Sequence, residues 1–296
     1  MIAPDTFWRM SVDRLRINSF GRLAPHDVAV AKGYYAAENL EVDHNSTQAS
    51  KAQMGELKDG AWDIVHTHAD NVFWWNEDND ARLLITLALP TEPNLILVVG
   101  PDIKSYEDLR GKTIAADAAE SGFVTSLRVM MRRHGLPEYG KDYRFEEIGA
   151  NRTQALREGR FPASMLNVGQ ENTLADLGFH VLDSIKPLYA NYATIAVSRR
   201  QWVEEHEAVV IRYLRAHMRA LLWIEDPAHA EEAKQYQARA TLVKGAPKPP
   251  PFAWDGIREM LEIRHEAGIM RGAADPQCFA DDRYYRDAIA GLAGSS

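Results

Sequence analysis

Two α/β lobes joined by crossing strands are expected from three features of this chain. Short strand-like and helix-like stretches alternate twice along it, the pattern of mainly parallel sheets covered by helices. Two apolar, β-rich runs, Leu83–Leu89 and Leu95–Gly100, separate the two alternating sets. From Arg199 onward the text is helical.

The first set opens with Leu15–Gly21, whose alternation fits a strand, and continues through Pro25 into a helical stretch broken at Gly33. Leu40–His44 alternates again. Ser46–Ser50 then offers hydroxyls to cap a helix over Lys51–Lys58, and a third strand is expected at Ala61–Val65. The second set starts with a short turn at Ser105–Leu109 and a strand at Lys112–Ala116, followed by an amphipathic helix over Ser121–His134. Tyr143–Ile148, Ala163–Asn167 and His180–Leu182 read as strands, with helices at Arg152–Gly159 and Glu171–Leu177 between them. Ala193–Val197 reads as a strand crossing back. Val209–Ile224 is the clearest helix of the last part, and the proline run at Lys244–Pro251 reads as a stiff surface connection. The expected division is lobe 1 from residues 1–93 and 198–296, and lobe 2 from residues 94–197.

Composition removes several classes of function. The chain has 296 residues, 46% hydrophobic and 26% charged, which is globular rather than disordered. Forty-two acidic against 34 basic residues leave a net charge of −8, which argues against nucleic acid and anionic membrane as partners. The apolar stretches Ile85–Leu89 and Leu95–Val99 fall far short of the roughly 20 residues a membrane span needs. The lone Cys278 rules out an intramolecular disulfide, a thiolate zinc cluster and an iron–sulfur centre held by this chain alone. Met1–Met10 shows neither a basic nor an apolar signal region, so the expectation is cytoplasmic as the sequence stands, and periplasmic if a signal has been removed.

Four segments, in order, resemble the type 2 periplasmic-binding-protein fold, in the branch that joins thiamine-pyrimidine-biosynthesis-like proteins to the sulfonate, taurine and nitrate receptors of ABC importers. They are Leu15–Asn18 with Ala31–Val42, Leu57–Ile64, Ile103–Ile114 and Arg152–Gly159. Together they span roughly residues 15 to 225, with mild departures at Ala37 and Asn39. The resemblance implies two lobes, a cleft between them, two crossing strands and a small-molecule ligand in the cleft. Within that family, yeast-type thiamine-pyrimidine synthases have a cysteine-rich iron motif, and biphenyl sulfinate desulfinases have a nucleophilic cysteine in the first lobe. A chain whose only thiol is Cys278 has neither.

In such sheets a ligand sits beyond the carboxyl ends of the strands. The first lobe's candidates are therefore Asn18, Phe20, Arg22, His26, Thr47, Gln48, His66, Thr67, His68 and Asn71. Those of the second are Ser121, Gly122, Phe123, Asn167 and Glu171, with Tyr192 just before the last strand. Ser121–Phe123 opens a helix, whose free N–H groups suit a carboxylate, sulfonate or phosphate, although Ser121 also reads as a plain N-cap. Glu120 stands beside the same turn and would repel an anion unless turned away. His66 and His68, two apart on an extended segment, face one side and could bind ligand or move a proton. With Asp70 nearby a metal site can be drawn, though no further ligand from elsewhere is identifiable; no cofactor is expected, with a metal at His66 and His68 as the less favoured alternative. Trp74, Trp75 and Phe20 could stack on a planar ring.

Gly-x-Ser-x-Gly, phosphate-loop, His-Glu-x-x-His and Gly-x-Gly-x-x-Gly templates are absent. Two functions remain in view. One is a receptor that closes on a small organic ligand, expected to be anionic (a carboxylate or sulfonate, or an aromatic or heterocyclic compound), with an ABC permease as partner if exported. The alternative is a cytoplasmic decarboxylase, lyase, isomerase or hydrolase of a small aromatic acid, with His66, His68 and Glu120 as its proton-transfer groups. A cytosolic sensor that contacts a partner protein through its helical C-terminal part ranks third.

Overall fold

The computed structural model describes residues 12–47, 49–272 and 275–292. In chain order the first set is β1 (Asp13–Phe20), α1 (Ala24–Ala31), α2 (Tyr34–Ala37), β2 (Leu40–Thr47), α3 (Ser50–Lys58), β3 (Ile64–His68), α4 (Ala69–Asp78) and β4 (Leu83–Pro90). The second is β5 (Leu95–Val99), β6 (Thr113–Ala116), α5 (Gly122–Arg133), β7 (Arg144–Glu147), α6 (Arg152–Arg157), β8 (Ala163–Asn167) and β9 (His180–Ser184). Then come β10 (Ala193–Arg199), α7 (Arg200–Glu205), α8 (Glu207–Ile224), α9 (Ala230–Ala233), α10 (Trp254–Glu266) and α11 (Arg283–Ala290).

These strands form two five-stranded sheets, ordered β2-β1-β3-β10-β4 and β7-β6-β8-β5-β9. In the first, β1 runs parallel to β2 and β3, and β10 runs antiparallel to β3 and β4. In the second, β6 is parallel to β7 and β8, and β5 is antiparallel to β8 and β9. Each sheet thus holds one reversed strand in its fourth place, laid down just after the chain has passed over from the other sheet. The chain passes over twice, at residues 91–94 and 185–192. This is the expected α/β architecture, with two lobes and a cleft.

β4, β5 and β8 are buried along nearly their whole length, which explains why they read as mostly apolar rather than alternating. On α8 the buried Val210, Tyr213, Leu214, His217, Leu221 and Ile224 recur at helical spacing and form the stripe packed on the first lobe. One apolar core extends from β1 and β4 through α4, α5 and α10 to one face of the second sheet, and a small satellite core around Leu156 and Leu174 fills the other face. The lobes therefore touch, with α10 packed on both α4 and α5. Among the described residues no helix is long and apolar enough to cross a membrane.

Three expectations need correction. β3 starts at Ile64 rather than Ala61, because the Asp63 carboxylate accepts the Arg16 N–H at 2.8 Å and the Arg16 guanidinium at 2.7 Å, which fixes the strand's entry. His66 and His68, expected after that strand, lie within it. At α3 the cap position belongs to Ala49, with no side-chain cap, so Ser46 and Thr47 close β2 instead. Gln170–Leu177 winds as a 3-10 helix rather than an α-helix.

Candidate functional site

Between the two sheets lies a cleft of about 580 Å³. Its first wall is built from the carboxyl ends of β1, β2 and β3. Ser19, Phe20 and Arg22 follow from β1, Thr47 from β2, and His66, Thr67 and His68 end β3, with Asn71 on the first turn of α4. Asn71 donates to Thr67 Oγ1 at 2.8 Å, which holds both in place. Arg22 is paired with Asp27, so its charge is already answered. The opposite wall comes from the second lobe: Asp117 after β6, Ser121, Gly122 and Phe123 at the start of α5, Arg152 at the start of α6, and Asn167 after β8.

The second wall carries the charge. Arg152 is only 8% exposed, and its guanidinium rests 4.8 Å from the centre of the Phe123 ring. Its Nε donates to the Met165 carbonyl at 3.2 Å and its Nη1 to the Gly149 carbonyl at 2.8 Å, so its bonds are to neutral acceptors. Burial pushes its pKa down, and Asp117 opposes that push from a distance. Asp117 itself accepts from the Ser121 hydroxyl at 2.5 Å and from Ser50 of the first lobe at 3.2 Å, which occupies both of its oxygens. Ser121 caps α5 through Val124 N–H at 3.4 Å, and the N–H groups of Gly122 and Phe123, on the first turn, have no acceptor within the helix. A buried cation bound only to carbonyls, beside a free helix N-terminus, is a place for an anion.

The first wall is neutral. His66 Nε2 lies 2.7 Å from the Tyr213 hydroxyl, and His68 Nδ1 lies 2.6 Å from that of Tyr192. Burial is the main cause lowering the pKa of both imidazoles, and His217, stacked on His66 at 4.7 Å, is lowered to about 3. These rings offer hydrogen bonds rather than charge.

Several expected residues lie elsewhere. Asn18 points into the first lobe, where its Oδ1 accepts from Gln53 at 2.8 Å. His26 is buried on α1 against His44 and Tyr35, at 5.0 and 5.6 Å between ring centres. Glu171 accepts the Gly169 N–H at 2.6 Å and shapes the loop after β8. Tyr192 stands behind His68 rather than on the cleft surface. Gln48 lies outside the described residues. Glu120 is turned away, its carboxylate 4.0 Å from Arg128 and its carbonyl accepting from Arg264, so the proton-transfer set of His66, His68 and Glu120 does not assemble. Asp70 faces α5 and the buried Arg264, not the histidines. Trp74 and Trp75 pack edge to face on α4 away from the cleft, which leaves Phe20 and Phe123 as its aromatic rings.

Residues not expected from sequence also line the cleft: Arg152 and Ser50, then His217, Leu221 and Ile224 from α8, and Gln237, Arg239 and Thr241 beyond it. Of these, His217 had a readable signal, as a polar residue on an otherwise apolar helical stripe.

Residues 22–230, more than two thirds of the chain, match the NMT1/THI5-like family. The chain belongs to the NMT1/THI5-like family. One relative within reach of sequence comparison is the riboflavin-binding protein RibY of Chloroflexus aurantiacus, 25% identical over 206 residues, or 68% of this chain and 58% of that one. The chain thus spans somewhat over half the length of that relative. Among solved structures, the periplasmic nitrate-binding protein NrtA of Synechocystis superposes with a TM-score of 0.76 at 13% identity, covering 95% of this chain and 89% of that one. The alkanesulfonate-binding protein SsuA of Xanthomonas axonopodis, bound to MOPS, gives 0.68 at 15% identity over 88% of this chain and 96% of that one. At such identities the likeness is one of fold, and it agrees with the two sheets and the cleft of this NMT1/THI5-like chain.

Proposed function

We propose that this NMT1/THI5-like protein is the solute-binding component of an ABC-type importer, working outside the cytoplasmic membrane and delivering a small planar, acidic molecule to a permease. The observation that carries the reading is Arg152: a nearly buried guanidinium in the cleft wall, bonded to carbonyls and flanked by the free N–H groups of Gly122 and Phe123. An acidic oxygen there gains charge-assisted bonds that the protein itself does not supply. The ring of the same ligand would lie between Phe20 and Phe123, against neutral imidazoles. The names of RibY, NrtA and SsuA support the class of protein, and MOPS in SsuA supports an acidic group on an organic ligand.

Closure of the two lobes supplies the readout. Ser50 and Lys51, at the start of α3, already reach Asp117 and Glu147 of the other lobe. A ligand touching both walls adds to those contacts and shifts the balance toward the closed form. The test is thermal unfolding with p-toluenesulfonate, benzoate and benzylammonium. The two anions should stabilise the protein, by about 2.7 kcal/mol at a hundredfold excess over Kd, and the cation should not. Stabilisation by benzylammonium alone would reverse the assignment of charge.

A further inference from the structure

We propose that Tyr192 is a positioning residue that locks His68 as its Nε2–H tautomer, so that the cleft presents a neutral N–H donor beside Phe123. The starting point is a hydroxyl with one partner. Tyr192 is buried, and its Oη makes a single hydrogen bond, to His68 Nδ1 at 2.6 Å. Tyr189, edge-on to it at 5.1 Å between ring centres, pairs its own hydroxyl with Ser126 at 3.0 Å rather than with Tyr192.

A buried phenol with one nitrogen partner donates to it, since otherwise its proton is left unbonded. Burial also raises the Tyr192 pKa well above its usual value, so the proton stays on the oxygen. Nδ1 of His68 is then the acceptor. Burial lowers the His68 pKa, with Asp117 the opposing influence, which keeps the ring neutral near pH 7. In a neutral imidazole whose Nδ1 accepts, the proton sits on Nε2. Nε2 bonds to nothing among the described residues, and the ring lines the cleft with Phe123 edge-on at 5.7 Å.

The arrangement is built into the fold. His68, the last residue of β3, pairs in register with Thr194 of β10, two residues after Tyr192, so the second passage between the lobes delivers the tyrosine to the histidine. The consequence for binding rests on the receptor reading above. An oxygen of a carboxylate, sulfonate or carbonyl finds a donor at this point, whereas an amine would meet N–H against N–H. Arg152 selects by charge and His68 by hydrogen-bond direction.

The test needs no ligand. In protein labelled with 15N-histidine at pH 7.5, long-range proton–nitrogen spectra should show His68 as a single tautomer, Nδ1 unprotonated and Nε2 protonated, assigned by the signals lost in His68→Gln. In Tyr192→Phe the same ring should show a mixture of both tautomers. A protonated Nδ1 in the wild type overturns the proposal, as does an unchanged single tautomer in Tyr192→Phe. Should that variant not fold, scalar coupling between the Tyr192 hydroxyl proton and Nδ1 in the wild type decides: its presence supports the lock and its absence overturns it. An inactive ligand panel alongside an intact Nε2–H tautomer would count against the receptor reading alone.

Discussion

Gly122→Ala places a methyl group where the lobes meet. A Cβ at that position would lie 2.7 Å from Asp70 Oδ2, 3.2 Å from its Cγ and 3.3 Å from its Cβ, about 0.7 Å inside ordinary contact for the oxygen. Asp70 belongs to α4 of the first lobe and Gly122 to α5 of the second, so relief comes from moving the lobes apart or displacing the carboxylate. Displacement is hindered, because Asp70 is fully buried beside Arg264 and Thr125. Overpacking of this kind costs about 1–3 kcal/mol, which shifts an open–closed balance by roughly 5- to 150-fold. Calorimetry with p-toluenesulfonate should show affinity falling by such a factor, and small-angle scattering should show a more open form. Because Gly122 also lines the cleft, Asp70→Ala is the control: it removes the oxygen and carbon at 2.7 and 3.2 Å, and the double variant should recover most of the lost affinity. Unchanged scattering and affinity in Gly122→Ala would mean that α4 and α5 do not meet this way in solution.

His66→Ala and His68→Ala should fold and weaken probe binding by tenfold or more, read by calorimetry beside circular dichroism; wild-type affinity in both would remove the imidazoles from the site. Ser50→Ala removes one bond between the lobes, worth about 0.5–1.5 kcal/mol, and should lower affinity by roughly 2- to 12-fold with little change in the melting temperature of the ligand-free protein. Acid should destabilise the fold. His217 is held at about 3 and His26 at about 4, in both mainly by burial. Below pH 6.5 the unfolded chain therefore binds protons that these rings refuse, and stability drops as pH falls. Asp70, raised to about 6 by burial against the opposing Arg264, acts in the other direction, because the folded state binds its proton first. Between pH 7 and 5, His217 alone costs roughly 2 kcal/mol and Asp70 returns roughly 1.4 kcal/mol, with His26 adding to the loss. Urea unfolding at the two pH values should show a net decrease, steeper in Asp70→Asn; a flat or rising profile contradicts these environments.

Local pattern carried most of the fold, because buried strands and amphipathic helices write their period into the text. β8 falls at Ala163–Asn167 as expected, and α5 begins at the residue after its predicted cap, Ser121. The slip at β3 came from chemistry at both ends: Asp63 is held by Arg16, a partner 47 residues away, and the strand finishes on polar residues that alternation does not recognise. For the site, the rule that strand ends face the cleft named Phe20, Thr47, His66, His68, Ser121, Phe123 and Asn167, and these residues line the cleft. It could not tell which way a side chain turns. Asn18 is one residue from Ser19, yet the alternation of β1 sends it inward to Gln53. Arg152 was invisible as a cleft residue because its position depends on carbonyls of Gly149 and Met165 that only the folded lobe brings together.

The central claim is that a groove between two α/β lobes holds an acidic molecule through Arg152. Titration calorimetry of p-toluenesulfonate against wild type and Arg152→Gln tests it most directly. Loss of a charge-assisted bond worth about 1.5–3 kcal/mol should weaken binding by roughly 10- to 150-fold, with benzylammonium unaffected. Equal affinity of the two proteins for the sulfonate would contradict the claim.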